Sequence, residues 1–441
     1  MKEINLTQGE IFQKLMNFSL PMIAGNLLQQ IYNLVDTLIV GRCLGADALA
    51  AVGSAYTLMI FITSIIIGLC MGSGAFFSED YGEGNQKKLK EDIGLSFWFI
   101  LAVSAVISVI IYPGMGLILR ILQTPKELMV LTGEYVTVVF AGIIFVFLYN
   151  FFAYLLRAIG NSFMPLVFLA GSSVLNIALD LWFVVGLSWG VGGAALATVI
   201  AQAVSGLGLL IYSLLKLPVL KDNNKRIGWN SRRLKQIIVN DVATGMQQSV
   251  MNFGILMIQG LVNSFGTTVM ASFAAAVKID TIAYMPAQEF GNAYSLFVSQ
   301  NYGAGKKDRI QKGTRISFAV STVFCIAISF VVCLFAADLM QLFVDASEIK
   351  IIAEGAKYLR IEGAMYVGIG VLFLWYGYFR GINLPHISLL LTVISLGTRV
   401  ILSYTLAPHT PLGVTAIWCS IPIGWALADV IGLYLYRKER K

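Results

Sequence analysis

The sequence predicts an all-α polytopic membrane protein with about twelve transmembrane helices in two six-helix repeats. Three observations predict this fold class. Hydrophobic residues make up 57% of the chain and charged residues only 12%, whereas a soluble domain carries about 25% charged residues. Apolar runs long enough to cross a bilayer recur along the whole length. The two halves of the chain also share a sequence pattern at a nearly constant offset.

The apolar runs divide the chain into spans of regular length. Each is long enough to cross the hydrocarbon core as a helix, and short polar or glycine-containing segments separate them. Pro21 lies inside the first run and predicts a bend there, because proline lacks a backbone donor. The runs lie near 16–41, 49–75, 93–118, 131–155, 163–186, 190–215, 238–263, 267–298, 315–340, 355–378, 386–406 and 411–436.

The positive charges indicate the topology of these spans. Basic residues cluster after the second, sixth, eighth and twelfth runs, and the alternate loops are poor in them. The positive-inside rule then places both termini in the cytoplasm of a plasma-membrane protein. The net charge of +7 therefore reflects membrane topology, and we expect no nucleic-acid partner. The clusters lie at 87–90, 221–235, 306–312 and 437–441.

An internal repeat defines the predicted domains. DYGEGNQKKL begins at Asp80 and NYGAGKKDRI at Asn301, an offset of 221 residues, while LLRAIGNS and YFRGINLP place Arg157 on Arg380 at an offset of 223. Parallel repeats of this kind place a substrate path at their interface. We predict a cytoplasmic segment at 1–15, an amino-terminal lobe at 16–216, a linker at 217–237, a carboxy-terminal lobe at 238–436 and a basic tail at 437–441.

Two carboxylates inside the predicted spans are the main candidate functional residues. Asp36 lies in the first span and Asp180 in the fifth, where Asn176 lies one turn earlier; Thr198 lies in the sixth. Counted from the outer ends of their spans, Asp36, Asp180 and Thr198 fall within roughly 5 Å in height. An ionised carboxylate deep in a bilayer costs at least roughly 2.5–3.5 kcal/mol, so we expect these acids to face the protein interior and to bind a cation.

The two repeats differ at these positions. The offsets place Asp36 on Met257, Asn176 on Arg399, Asp180 on Ser403 and Thr198 on Ile421. This comparison predicts that the amino-terminal half holds the acidic cluster and that the carboxy-terminal half has lost it. Arg399 lies mid-helix, so we expect it to have a partner or to line a wet cavity. Lys278 and Asp280 are two residues apart and cannot pair with each other on a helix, so each needs another partner, unless Lys278 lies near the outer surface. A weaker prediction is a substrate-lining set of Gln30, Asn33, Met257, Gln288, Glu289 and Arg399.

Several motifs together resemble those of the multidrug and toxic compound extrusion (MATE) transporters. They are NxxLD followed by GxxGAAxAT at 176–198, VGRCLGADALAAVG after the Asp36 helix, and LRAIGNS after the fourth span. The resemblance covers the whole chain. It implies two six-helix lobes around a central cleft that opens alternately to each side of the membrane, and efflux of organic, often cationic, compounds in exchange for H⁺ or Na⁺.

The resemblance also implies roles for individual residues. Asp36, Asn176, Asp180 and Thr198 match the positions that family members use for the coupling cation, and they are metal ligands if that cation is Na⁺. One branch of the family carries acids on helix seven and after helix ten. Here helix seven offers Gln247, Gln248 and Met251, and the segment after helix ten, RGINLPH, contains no acid, so the chain is similar to the branch that couples through the amino-terminal lobe alone. The coupling ion is the one cofactor implied, and we expect a monomer in the lipid bilayer.

Other functions remain as alternatives of different weight. A flippase or exporter of a lipid-linked or other specific metabolite uses a related two-lobed architecture. That function, however, predicts a strongly basic central cavity. The intramembrane charges here are as much acidic as basic. An enzyme requires a nucleophile with a base or a metal set within the bilayer, and no His or Cys lies at a suitable spacing. We therefore predict that the protein is not an enzyme. Whether H⁺ or Na⁺ is the coupling ion stays open, because carboxylate, amide and hydroxyl oxygens suit both.

Overall fold

The structure, a computed structural model, describes residues 4–121, 125, 127–221 and 230–439. These residues form helices and short connections, and no strand occurs among them. The first half contains α1 (Ile11–Leu44), α2 (Ala46–Glu83), α3 (Gln86–Ile121), α4 (Met129–Ala141), α5 (Ile143–Ala158), α6 (Phe163–Asp180), a π-helical turn (Leu181–Gly186), α7 (Gly190–Lys216) and the short α8 (Pro218–Lys221).

The second half repeats this order of elements. It contains α9 (Ser231–Asn263), α10 (Thr267–Gly303), α11 (Lys307–Leu334), α12 (Ala336–Gln341), α13 (Ile349–Gly363), α14 (Tyr366–Gly381), α15 (Pro385–Leu406) and α16 (Val414–Glu439).

The helices confirm a polytopic membrane protein. Eight helices in the described part of the chain have the length and hydropathy of a membrane span, and two bent pairs raise the number to ten. The pairs are α4 with α5, bent by 45°, and α13 with α14, bent by 52°. The remaining long helices, α1 with 34 residues and α9 with 33, have spanning length, and polar residues in their interiors lower their hydropathy. The twelve predicted spans thus each correspond to one long helix or one bent or broken helix pair.

Two compact units make up the chain. Unit 1 comprises Met1–Asn5 and Leu20–Gly245, and unit 2 comprises Leu6–Ser19 and Met246–Lys441. These bounds differ from those of the predicted lobes at α1 and at α9. The first turns of α1 group with unit 2, and the first half of α9 groups with unit 1. The basic residues of the predicted linker at 222–229, and the last two of the tail at 440–441, lie outside the described residues.

Each unit has its own apolar core. In unit 1, α5 is buried along most of its length, and its aromatic side chains pack edge-on against Phe77 of α2 and Phe97 of α3. In unit 2, Phe273 of α10 stacks on Trp418 of α16, and Tyr358 of α13 packs edge-on against both rings. These aromatic residues come from helices that are far apart in sequence. Their packing therefore holds the helices of each unit, including those that carry polar residues, against one another.

An ion-pair network attaches the start of α9 to α2 and α3 within unit 1. The guanidinium of Arg233 bonds both carboxylate oxygens of Asp92 and lies 3.4 Å from Asp80, while its plane covers the ring of Phe76 at 4.6 Å. Lys88 also reaches Asp80, at 2.9 Å. The carboxylates of Asp80 and Asp92 are fully buried. The network therefore supplies the positive charge that two buried acids require.

The segment before α1 is held in unit 2 by a different kind of contact. Arg309 of α11 donates to the backbone carbonyls of Leu6, Gln8 and Gly9 at 2.7–3.1 Å. Asn301 of α10 donates to the Leu6 carbonyl at 3.2 Å. Side chains therefore satisfy the backbone of this non-helical segment in place of a helical hydrogen-bond ladder.

Candidate ion-coupling site

The first two residues of the predicted cation site lie on α1 and α6 of unit 1. Asp36 lies one turn after Tyr32 on α1. Asp180 is the last residue of α6 and immediately precedes the π-helical turn Leu181–Gly186. Single π-helical turns are rare and occur often at functional sites. Asp180 is fully buried, and Asp36 is partly buried.

The two acids lie close enough to interact electrostatically. Two carboxyl groups can share a hydrogen bond only if a proton lies between them, because two ionised carboxylates are both acceptors. In addition, Oδ1 of each residue is buried without a hydrogen-bond partner. The site therefore has acceptor atoms that are free to bind a proton or a small cation.

Asn176 connects the acids to α7. With its amide nitrogen turned toward Asp180, Asn176 donates to Oδ2 at 2.9 Å, and its oxygen accepts from the backbone N–H of Thr198 at 3.2 Å. The opposite orientation leaves only a 3.5 Å contact with the Thr198 hydroxyl. We assign the first orientation because it gives both amide atoms a partner. The structure thus brings Asp36, Asn176, Asp180 and Thr198 into one buried cluster.

Two tyrosines complete the cluster, and sequence reasoning missed both. Tyr32 of α1 and Tyr135 of α4 both lie beside the side chain of Thr198. The Thr198 hydroxyl itself donates to the carbonyl of Ala194 at 3.2 Å. Tyr32 precedes Asp36 by four residues on the same helix face, a spacing that offered a signal. Tyr135 had no local signal, because its helix is apolar.

The donor set suits a proton network or a hard cation. It consists of two carboxyl groups, one amide and hydroxyls, all of which are oxygen ligands. No group of three or more His, Cys, Asp or Glu residues capable of holding a metal occurs within 4–121, 125, 127–221 and 230–439. A metal ion at this cluster would therefore depend on neutral oxygens beside the two acids.

The predicted substrate-lining residues occupy several different places. Gln30 and Asn33 of α1 are partly buried and lie 3.4 Å apart. Met257 of α9 is 38% exposed, and its carbonyl accepts from the Tyr404 hydroxyl at 3.1 Å. Lys278 is exposed.

Gln288 lines a small cavity inside unit 2. Polar amides and two aromatic rings surround this cavity, and the buried guanidinium of Arg380 reaches Asn292 at 2.9 Å. Glu289 is buried next to it and accepts from Asn292 at 3.1 Å. The cavity is lined by Gln247, Gln248, Met251, Gln288, Asn292, Phe373, Tyr376 and Arg380.

Unit 2 contains buried acids at other positions. Asp280 of α10 and Glu362 of α13 are each 3% exposed, and both interact electrostatically with Arg399 of α15. The repeat comparison did not reveal them, because these acids do not occupy the positions that correspond to Asp36 and Asp180.

One protein-family model matches the chain twice, once in each repeat. The MatE family model matches residues 21–182 and again 243–405. Together these segments cover most of the chain, one in each half. The chain belongs to the MatE family. MatE proteins are transporters, so this protein is a multi-pass membrane transporter and not an enzyme.

Individual MatE relatives align over nearly the full length. "Probable multidrug resistance protein YpnP" of Bacillus subtilis is 31% identical, covering 90% of this chain and 88% of its own. "Multidrug export protein MepA" of Staphylococcus haemolyticus is 26% identical, covering 83% and 81%. "Probable multidrug resistance protein NorM" of Thermotoga maritima is 23% identical, covering 96% and 90%.

Solved structures share the MatE fold. A crystal structure of MATE in complex with MaL6 has a TM-score of 0.90 at 24% identity, covering 100% of this chain and 98% of that one. A MOP superfamily transporter from Pyrococcus furiosus has a TM-score of 0.91 at 24% identity, with the same coverage. These similarities establish the predicted two-lobed helical fold.

Proposed function

We propose that this transporter exports small organic compounds, often cationic, by antiport against an inward flow of protons through alternating access. Its relatives are named multidrug resistance or multidrug export proteins, which supports this substrate class. We place the protein in the plasma membrane as a monomer with both termini in the cytoplasm, as the distribution of basic residues indicates.

The observation that carries the proposal is the cluster in which Asn176 joins Asp180 to Thr198 beside Asp36, with Oδ1 of both acids buried and without a hydrogen-bond partner. In this proposal the two acids share one proton, and its loss leaves two like charges that repel each other, so binding and release of the proton change how α1 packs on α6. A cation drives transport only if it binds one conformation more tightly than the other. A proton shared between α1 and α6 meets that requirement, because it favours the conformation in which the two helices lie together. Na⁺ is the competing ion, since the same oxygens suit it.

Transport measurements in everted membrane vesicles test the proposal. The Asp36→Asn variant keeps the size of the side chain but cannot hold the exchangeable proton, and we expect it to abolish uptake of a fluorescent organic cation. Asp47→Asn changes an exposed acid of the same unit and serves as the matched control. Normal uptake by a correctly inserted Asp36→Asn variant would refute the coupling role.

The coupling ion is identified in the same vesicles. Collapse of the proton gradient alone is expected to stop uptake, and collapse of the sodium gradient alone is expected to leave it unchanged. The opposite result would assign Na⁺ to the site, with Asp36, Asn176, Asp180 and Thr198 as its ligands. Failure to move any organic cation while a lipid-linked metabolite is translocated would favour the flippase alternative.

A further inference from the structure

A buried acid without an ion-pair partner lies in unit 1, where α2 meets the first half of α9. Asp241 of α9 is fully buried, and the hydroxyl of Ser73 on α2 donates to its Oδ2 at 2.5 Å. Oδ1 of Asp241 has no hydrogen-bond partner. Within residues 4–121, 125, 127–221 and 230–439, no Lys or Arg forms an ion pair with this carboxyl group. One hydroxyl therefore provides the hydrogen bonding of the acid in this part of the chain.

The backbones of α2 and α9 approach closely on both sides of the acid. A Cβ at Gly72 would lie 2.6 Å from Oδ1 of Asp241, and one at Gly68 would lie 2.5 Å from the Cα of Gly245. Asn240 donates to the carbonyl of Gly72 at 3.2 Å. Gly68 and Gly72 are four residues apart, so both lie on the same face of α2 and allow the two backbones to touch. The carboxyl group is thus enclosed in a helix–helix contact.

An apolar layer separates Asp241 from the ion-pair network at the start of α9. Arg233 lies two turns before Asp241 on α9, about 12 Å along the helix. Its guanidinium covers the ring of Phe76 and is bonded to Asp92, so its charge is already balanced. The layer between them consists of Phe76, Leu95 and Ile237.

The other titratable groups near Asp241 supply no positive charge. Asp92 of α3 and Cys70 of α2 both interact electrostatically with Asp241. Asp92 carries a negative charge and opposes a second one at Asp241, while Cys70 is a fully buried thiol. An ionised carboxylate that is buried without a cation is costly, and one hydroxyl donor does not offset that cost. These surroundings favour a neutral carboxyl group.

We propose that Asp241 is a proton-binding site of unit 1, and that the bound proton holds α2 against the first half of α9. Loss of the proton would place a negative charge against the backbone of Gly72, so the two helices would separate there to admit water. The site lies on other helices than Asp36 of α1 and Asp180 of α6. Asp241 is ten residues from the start of α9, about 15 Å along the helix from the basic segment that we assign to the cytoplasm. The site does not depend on the coupling role proposed for Asp36 and Asp180.

Infrared difference spectroscopy of the full-length protein in lipid vesicles tests whether Asp241 carries a proton. At neutral pH, the spectrum of the wild-type protein minus that of Asp241→Asn should contain one protonated-carboxyl band. The matched control is Asp47→Asn, at an exposed acid of α2, which should give no such band. The same band should be lost when Asp241→Asn is introduced into an Asp36→Asn background, which separates this site from the proposed coupling site.

Ser73→Ala identifies the band while leaving the acid in place. This variant removes the hydroxyl that is bonded to the carboxyl group, so the Asp241 band should persist and move to higher frequency. The control is Ser54→Ala, because the Ser54 hydroxyl donates to the Ala50 carbonyl within α2 at 3.0 Å. Ser54→Ala should leave the band unchanged.

The thiol of Cys70 reports whether the proton holds the two helices together. Cys70 is fully buried and lies three residues before Ser73 on α2. In a chain whose other four cysteines are replaced by alanine, raising the pH should remove the Asp241 band and increase labelling of Cys70 by N-ethylmaleimide over the same pH range. Thiol reactivity itself rises with pH, so the comparison is with Asp241→Asn at each pH. This variant stays neutral, and its Cys70 should be labelled more slowly than that of the wild-type protein at alkaline pH.

Any of three results would overturn the proposal. The first is the absence of a difference band between the wild-type protein and a well-folded Asp241→Asn. The second is loss of the wild-type band on addition of Na⁺ at constant pH, which would identify a metal site. The third is equal labelling of Cys70 in the two proteins at alkaline pH. If Asp241→Asn does not fold, an infrared spectrum that Ser73→Ala leaves unchanged has the same force.

Discussion

Removal of the Arg233 side-chain charge should strongly destabilise unit 1. Arg233 balances Asp80 and Asp92, whose carboxylates are fully buried, and its own side chain is only 16% exposed. Breaking a buried ion pair by removing one partner costs roughly 3–5 kcal/mol. Lys88 still reaches Asp80, so the lower end of that range applies, and we expect Arg233→Met to cost about 3 kcal/mol. Methionine retains an apolar side chain against Phe76 and limits the loss to the charge.

The assay is thermal stability of the full chain in detergent, followed by size-exclusion chromatography after heating. For a unit of this size each kcal/mol shifts the midpoint by about 2–4 °C, so Arg233→Met should lower it by roughly 6–12 °C. The control is Arg232→Met, which removes a charge from the exposed neighbour on the same helix.

A double variant separates the ion pair from other effects. Asp92→Asn removes the main acid that Arg233 neutralises, so the Arg233→Met substitution should cost less in that background. Equal destabilisation by Arg233→Met and Arg232→Met, or full additivity with Asp92→Asn, would refute the reasoning.

Two further predictions concern packing and the amino-terminal segment. At Gly424 of α16 a Cβ would lie 2.4 Å from a backbone oxygen of α15, so Gly424→Ala should lower thermal stability. The control is Gly397→Ala, whose Cβ meets nothing within 4 Å and which should leave thermal stability unchanged. Equal thermal stability of the two variants would contradict the close approach of α16 to α15. Arg309→Gln removes donors to backbone carbonyls of the segment before α1, so limited proteolysis should cleave this segment faster than in the wild-type protein. The control is Lys307→Gln, a change at an exposed neighbour, which should not increase the cleavage rate. Identical cleavage rates would show that this anchoring is unimportant.

The buried acids of unit 2 show that comparison of the two repeats does not find every buried charged residue. The offsets correctly found that Met257, Ser403 and Ile421 replace the amino-terminal polar residues. They gave no information about Asp280 and Glu362, because each aligns with an apolar residue of the first half. Only helix packing reveals that both acids interact with Arg399, since the three come from α10, α13 and α15.

The sequence by itself determined the fold class, the number of spans and the polar residues that lipid does not tolerate. These follow from composition, from the length of apolar runs and from the fixed rise of a helix, which are all local properties. It also correctly placed Asp36 near Asp180. Tertiary structure alone decided which side chains meet. Tyr135 lies beside Thr198, and Glu362 interacts with Arg399, because helix rotation and bending are set by packing between distant segments, which a one-dimensional pattern does not encode.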